Sequence, residues 1–311
     1  FCADIFSNDT DKILLLAQWF GYNLIPDMSM EKFMLFIGRP RSGKSTMLET
    51  MSYMLGQEQC CSTSFQSLCG PFGFQPLIGK LAALVGDAKV PHAREADSAL
   101  EKILQITGGD PVTINRKRIK QLSLINLTCR FTIVTNDLPA FTDHARALEP
   151  RMNILDFENS YIGREDRHLK ARLNKEAAAG RLINFALRGL KRLREKQNFT
   201  LPKSSYILQN QFRTISNPIH EFVAECCEFA ATENKYNSET FWAVKNEVYE
   251  TWRNWCKANG RSPGIKTLFF NRFFASYPDL VNTRRRIASV QRYIICGVCL
   301  TNDAKLTYLG D

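Results

Sequence analysis

The stretch Gly38-Arg39-Pro40-Arg41-Ser42-Gly43-Lys44-Ser45 fits the pattern G-x-x-x-x-G-K-[ST], between the apolar run 33–37 and the helix-like segment 46–55. Such a loop works only when a strand delivers it and a helix starts from it, because its ligand meets backbone N–H groups at a helix N-terminus. Eight residues thus demand a strand, a loop and a helix, and imply a sheet whose strands alternate with helices. The chemistry they point to is the grip of a triphosphate. Backbone N–H groups wrap the phosphates, Lys44 neutralises charge at the β and γ positions, Ser45 reaches a metal ion, and Thr46 continues the first helical turn.

Composition sets the bounds. The 311 residues are 44% hydrophobic, enough for one large or two ordinary domains with buried cores. No apolar run approaches the roughly 20 residues of a membrane-spanning helix, and the first residues lack the basic-then-apolar order of a secretory signal. A soluble, cytoplasmic protein with no membrane partner is expected. The first residue is Phe1 rather than Met, so the chain is expected to be a fragment of a longer one. A net charge of +10 argues for a polyanionic partner. The ten cysteines have no regular spacing and read as reduced thiols. Cys296 and Cys299 have metal-like spacing, but no second such pair completes a four-ligand site, and zinc is not expected there. His92, His144, His168 and His220 stand singly and are not read as ligands.

Along the chain, residues 11–24 carry apolar residues at helical spacing before a proline-containing connector. The stretch 59–76 is irregular, and "GKLAALVGD" then reads as a second buried strand ending at Asp87. A helix with Ala96, Leu100, Ile103 and Leu104 on one face stops at Gly108-Gly109, and "DPVTINRKRIKQL" follows. "CRFTIVTNDLP" is a strand ending in Asn136, and another starts just after Arg151. Residues 164–196 look helical; 197–216, with Pro202 and several Ser and Asn, read as a linker. From Pro218 three helical stretches precede a basic strand pair, a winged-helix pattern.

A phosphate loop needs an acidic residue at a neighbouring strand end to hold Mg²⁺ through water, and Asp87 meets that need. Asn136, also at a strand end, suits the orientation of an attacking water beside the γ-phosphate.

Together the segments "GRPRSGKST", "GKLAALVGDAKV", "TGGDPVTINRKR", "FTIVTNDLP", "ALEPRMNILDF" and "GREDRHL", with "DIFSNDTDKILLLAQWFGYNL" before them and "FVAECCEF" and "WCKANGRSP" after, resemble the superfamily 3 helicase portion of phage/plasmid and poxvirus-type primase-helicases. The resemblance covers nearly the whole chain. It implies an AAA+ P-loop fold, ATP and Mg²⁺ as cofactors, a homo-hexameric ring, 3′ to 5′ translocation on single-stranded DNA, forked DNA as substrate and an upstream primase-polymerase. It makes Gly38, Gly43, Lys44 and Ser45 the phosphate loop and Asp87 the acidic strand-end residue. Asn136 becomes the polar sensor and Arg151 the candidate arginine finger, and Arg116, Lys117 and Arg118 fall on a DNA-contacting hairpin. Many family members have two adjacent carboxylates where this chain has Gly86-Asp87-Ala88; Glu95, Asp97 or Asp87 alone remain open as the base.

Arg116, Lys117, Arg118 and Lys120 form a basic cluster after a Gly-Gly-Asp-Pro lead-in suited to a protruding loop, and a motor must grip phosphate near its nucleotide. Arg284, Arg285, Arg286 and Arg292 read equally as a second DNA surface or as a solubilising loop. The expected organisation is a helical N-terminal segment at 1–26, an α/β AAA+ motor at 27–196, a linker at 197–216 and a winged-helix domain at 217–311. The expected activity is ATP-dependent DNA unwinding in a phage or plasmid replication protein; a nucleotide-switched protein that binds and melts an origin without processive unwinding is the alternative.

Overall fold

In a computed structural model, which describes residues 1–86, 93–138, 148–216, 218–230 and 241–310, the chain forms two units, Phe1–Ser216 and Asn217–Asp311. Two helices open the first, α1 (Cys2–Ile5) and α2 (Thr10–Tyr22). Asp9 starts α2 by accepting the N–H groups of Asp11 and Lys12, which the helix itself cannot satisfy. Strand β1 (Phe33–Gly38) follows, then α3 (Lys44–Leu55), β2 (Cys60–Thr63), α4 (Phe65–Cys69), β3 (Ala82–Val85) and α5 (Ala93–Thr107). A hairpin of β4 (Val112–Arg116) and β5 (Ile119–Ile125) precedes β6 (Arg130–Thr135) and β7 (Met152–Phe157).

The central sheet runs β2-β3-β6-β1-β7, every neighbouring pair parallel. Parallel strands need crossovers that cover both faces, and β1 shows the result. Phe33, Leu35 and Ile37 enter one core with Leu68, Ile103 and Phe131, while Met34 and Phe36 enter the other with Trp19, Met51 and Leu155. The chain runs out from β1 to the β2 edge, returns to β6, and crosses over β1 to reach β7. β1 is therefore where the winding reverses, and ligands of open α/β sheets bind there, beyond the carboxyl ends of the strands.

Three helices complete this unit: α6 (Leu169–Ala178), α7 (Ile183–Lys196) and α8 (Lys203–Ser216). The N-terminal segment belongs to the core rather than preceding it, since Leu15, Leu16 and Trp19 are fully buried. Helices α2 and α7 meet backbone to backbone: a Cβ at Gly21 would strike the carbonyl of Ala186, and one at Gly189 the carbonyl of Ala17. Residues 203–216, expected as linker, are helix. Phe212 is buried, Ser205 donates to the carbonyl of Ile154, and Gln209 donates to that of Met152 at 2.9 Å. The polar residues that read as a linker thus satisfy the open edge of β7. Strand β2 was also unexpected; four residues of an edge strand leave little pattern to read.

The second unit has α9 (Pro218–Cys226), β8 (Cys227–Phe229), β9 (Trp242–Val244), α10 (Lys245–Ala258), α11 (Lys266–Ser276), β10 (Val281–Ile287), β11 (Val290–Cys296), β12 (Val298–Leu300) and α12 (Asn302–Tyr308). Strands β10, β11 and β9 form an antiparallel sheet, and β12 pairs with β8. Its core is aromatic, with Trp252 stacked on Trp255 and on Phe269 at centroid distances of 5.5 and 5.0 Å. The expected three helices and strand pair are present, while residues 227–229 and 242–244, read as helical, form the short strands β8 and β9, and β12 and α12 follow the pair. The ten cysteines are free thiols, and no group of potential ligands among the described residues could hold a metal ion.

Candidate nucleotide-binding site

The loop that leaves β1 is shaped by backbone conformations that side chains resist. Gly38 has φ 150° and lies so close to β7 that a Cβ would strike the carbonyl of Phe157. Gly43, at φ 93°, is the N-cap of α3, and Arg41 is also left-handed at φ 59°. This turn aims the first N–H groups of α3 out of the sheet, with the positive end of the helix dipole behind them. Lys44 is buried at 6% exposure and its Nζ donates to the carbonyls of Gly38 at 2.6 Å and Arg39 at 2.7 Å, and to Ser42 Oγ at 3.2 Å. Its ammonium is thus fixed inside the loop. Ser45 is exposed and Thr46 half-buried on the first turn. A glycine cradle, an inward lysine and an exposed hydroxyl fit the phosphates of a nucleotide and its cation.

The loop is braced by the chain after β7. The Tyr161 N–H donates to the carbonyl of Arg41 at 3.0 Å, Ser160 Oγ donates to that of Pro40 at 3.1 Å, and the Tyr161 hydroxyl donates to Asp4 Oδ2 at 2.8 Å. Beside the loop lies a cleft of about 580 Å³, lined by Ile5, Gly43, Thr46, Tyr161, Arg164 and Arg167 among others. That volume suits a small ligand. Arg164 and Arg167 received no role in the sequence reading, although "GREDRHL" contains both. The signal was there, but without the fold nothing tied it to the phosphate loop.

Behind the site Lys12 of α2 is buried and donates to Asp156 at 2.8 Å and Glu158 at 3.0 Å, while Ser204 Oγ donates to Asp156 Oδ1 at 2.6 Å. Burial pushes the Asp156 carboxyl up, but the hydrogen bonds around it, including those from Lys12 and Ser204, outweigh burial and hold it below the ordinary range. Lys12 moves the other way: burial lowers it, and its bonds to Asp156 and Glu158 raise it overall.

Asn136 is exposed one residue past Thr135, which pairs with Ile37 of β1, so it stands beside the start of the loop. Asp87 lies outside the described residues; its strand ends at Val85, paired with Ile133. The side chains of Glu95 and Asp97 are also outside them. Arg151 stands elsewhere. It directly precedes Met152, which pairs with Phe33, so the whole of β1 separates it from the phosphate loop. Six strand residues at about 3.3 Å each make that roughly 20 Å. There Arg151 donates to the carbonyl of Leu104 at 3.1 Å and lies 3.4 Å from Glu31. A cation over the last carbonyls of α5 is favourably placed.

The basic cluster forms the β4–β5 hairpin. Lys117 and Arg118 make its two-residue turn, with Arg118 at φ 61°, and Lys120 is exposed. Arg116 turns back on the hairpin and donates twice to the carbonyl of Lys120, at 2.9 and 2.6 Å. The register shifts twice, and Leu124, at φ 55°, is 78% exposed.

A protein-family model described as a family of unknown function, DUF5906, matches residues 36–151, the span from the phosphate strand to Arg151. No curated protein matches the chain. Among solved structures, the C-terminal region of NrS-1 is similar with a TM-score of 0.60 and 14% identity over 95% of this chain and 74% of that one. Another form of that region gives 0.57 and 15%, over 95% and 73%. These likenesses are of fold. JCV helicase follows at 0.35 with 12% identity, over 82% and 66% of the two chains, too slight to carry an argument.

Proposed function

We propose that the chain is an ATP-dependent DNA helicase module of the superfamily 3 kind, with an AAA+ motor in the first unit and a winged-helix-like second unit. One observation carries the reading: a hairpin with a cationic turn, β4–β5, is inserted in the chain between β3 and β6, neighbouring strands of the sheet whose first strand bears the phosphate loop. A metabolite kinase has no use for such an insertion. A motor needs a phosphate grip joined to its fuel site, and Lys117, Arg118 and Lys120 offer one to single-stranded or forked DNA.

In this reading Gly38, Gly43, Lys44, Ser45 and Thr46 hold the triphosphate, and Lys44 follows charge onto the β and γ oxygens. Mg²⁺, held by Ser45 and through water by Asp87, would supply charge neutralisation there. Asn136 orients the attacking water. Arg151, far from its own loop, serves a neighbouring subunit, which calls for a closed ring, a homo-hexamer. We extend the reading to 3′ to 5′ movement and to a phage or plasmid replication protein with a primase-polymerase part.

The test is ATP hydrolysis with and without single-stranded DNA, paired with strand displacement on forks carrying 3′ or 5′ tails. DNA-stimulated hydrolysis and displacement from the 3′-tailed fork are expected. Lys44→Ala should lower turnover by about 10³ or more with the fold intact. Hydrolysis with no displacement would move the reading to a nucleotide-switched origin-melting protein, and wild-type turnover in a folded Lys44→Ala protein would sink the site.

A further inference from the structure

The phosphate loop holds a conformation that its own residues resist. Arg41 sits at φ 59°, a left-handed backbone that an arginine keeps only where its surroundings impose it. The imposing groups come from the chain just after β7. Ser160 Oγ donates to the carbonyl of Pro40 at 3.1 Å, and the N–H of Tyr161 donates to that of Arg41 at 3.0 Å. A trans peptide is planar, so fixing a carbonyl also fixes the N–H of the next residue, in the opposite direction. These bonds therefore set the N–H groups of Arg41 and Ser42. Among the described residues, neither these N–H groups nor that of Gly43 donates to a protein acceptor. They are held in place by bonds on the far side of their own peptide planes and are left to a ligand.

The same short segment grips α1. The Asn159 amide donates to the carbonyls of Ile5 at 2.9 Å and Asp4 at 3.2 Å and to Ser7 Oγ at 3.0 Å, and the Tyr161 hydroxyl donates to Asp4 Oδ2 at 2.8 Å. A helix of one turn does not persist on its own, so these bonds are what keep α1 in place. Ile5 is buried and packs so closely on Gly43 that a Cβ there would lie 2.6 Å from its Cδ1. Gly43, at φ 93°, is the residue from which α3 starts. The loop is thus held at its middle by Ser160 and Tyr161 and at its end by Ile5, and both holds lead back to residues 159–161.

We infer, on the reading of this loop as a nucleotide site, that Asn159, Ser160 and Tyr161 are positioning residues that preset the loop in its phosphate-binding shape. A loop that its ligand must order binds more weakly, because the ordering draws on the binding free energy. The clip holds backbone that is the same in the ground state and the transition state. It therefore governs affinity and leaves the chemical step alone, unlike Lys44, which follows charge onto the reacting phosphate. The N–H groups it sets meet phosphate oxygens and no part of the base. Its loss falls on any polyphosphate.

The experiment measures binding of ATP and of inorganic tripolyphosphate to the whole chain by calorimetry, with ATP turnover beside it. In S160A the Kd of both ligands should rise about fivefold, the worth of one hydrogen bond, and in N159A with S160A about tenfold or more. In both, kcat should stay within about twofold of wild type. S160T keeps the hydroxyl and should bind as wild type does. N159D has the same shape but turns an acceptor toward the α1 oxygens, and should lose as much as N159A. Y161F removes only the bond to Asp4; its loss of about threefold in both affinities preserves the test if N159A misfolds. Unchanged affinity in the folded variants would overturn the inference. So would a lower kcat at unchanged affinity, or weaker ATP binding with tripolyphosphate unaffected, which would move these residues to the chemistry or to the base. A wild-type chain that binds neither ligand would sink the nucleotide site and this inference with it, whereas absent strand displacement would sink the motor reading and leave this one standing.

Discussion

The two ends of the parallel sheet are built on opposite principles. At the carboxyl end the chain opens: Gly38 and Gly43 take left-handed turns, α3 presents its first N–H groups outward, and Lys44 is clasped by the loop's own oxygens. At the amino end the chain closes on itself. Arg130 is fully buried against the Tyr22 ring and donates to the carbonyls of Ile25 and Asp27, and Arg151 reaches the carbonyl of Leu104. Both ends hold arginine or lysine, so charge alone does not tell them apart. The difference is the direction of the backbone: at one end a helix begins, with its N–H groups and Lys44 gathered at one loop, and at the other the cations meet the carbonyls of α5 and of the chain before β1. Arg151 is the ambiguous residue, because it closes the amino end and is also the residue assigned to a neighbour's active site.

The largest effect therefore lies at Arg151. Arg151→Ala should bind ATP normally and hydrolyse it about 10³-fold more slowly, the lower bound for such an arginine. Mixed with Lys44→Ala subunits it should regain activity, because an intact loop can then meet an intact Arg151. Near-normal turnover in Arg151→Ala, or no recovery despite shown co-assembly, would return this residue to a purely structural role.

The next effect belongs to the other end. Lys12→Ala leaves Asp156 buried without its cation, and a loss of about 3 kcal/mol is expected in denaturant unfolding. The folded Asp156 carboxyl lies below its unfolded value near 3.9, so its contribution is present above about pH 4 and lost as pH falls through the folded value. Lys12 is raised, so its part is full below about pH 10.4 and lost at higher pH. The stability gap between wild type and Lys12→Ala should accordingly narrow below about pH 4. A gap independent of pH in that region would show that packing, not charge, sets the cost. The smallest effect is Glu31→Gln, at most about 1 kcal/mol, because the ion pair with Arg151 is long and Glu31 is half-exposed. A much larger loss would mean that the amino end depends on that pair.

The strand, loop and helix around Lys44 were legible because the phosphate-loop pattern fixes residue types at fixed spacing, and β1, β6 and β7 because buried parallel strands are continuous apolar runs. The cations of the β4–β5 hairpin marked a loop, and only the family resemblance implied a hairpin there. What stayed hidden depends on tertiary partners. Helix α8 has the composition of a linker until Ser205 and Gln209 find the carbonyls of β7. β2 is too short to have a period. The Lys12 network joins residues 144 apart in the chain, and a lysine inside an amphipathic helix looks like any surface cation. Of the site, the loop and Asn136 stand together, Arg151 does not, and Asp87 lies beyond what the structure describes.

The contact between α2 and α7 has a mechanical consequence. Helices separated by interleaved side chains can slide by small rotamer changes, which is how domains shear. At Gly21 and Gly189 the two backbones touch directly and no such bearing layer exists. The pair acts as a strut: it transmits displacement and does not absorb it. The segment after β7 is attached to the phosphate loop differently, by a few hydrogen bonds through Ser160 and Tyr161. Those bonds can break and re-form singly. The segment carrying Arg164 and Arg167 is thus tied to the loop by separable hydrogen bonds, while α2 and α7 are locked to each other by direct backbone contact.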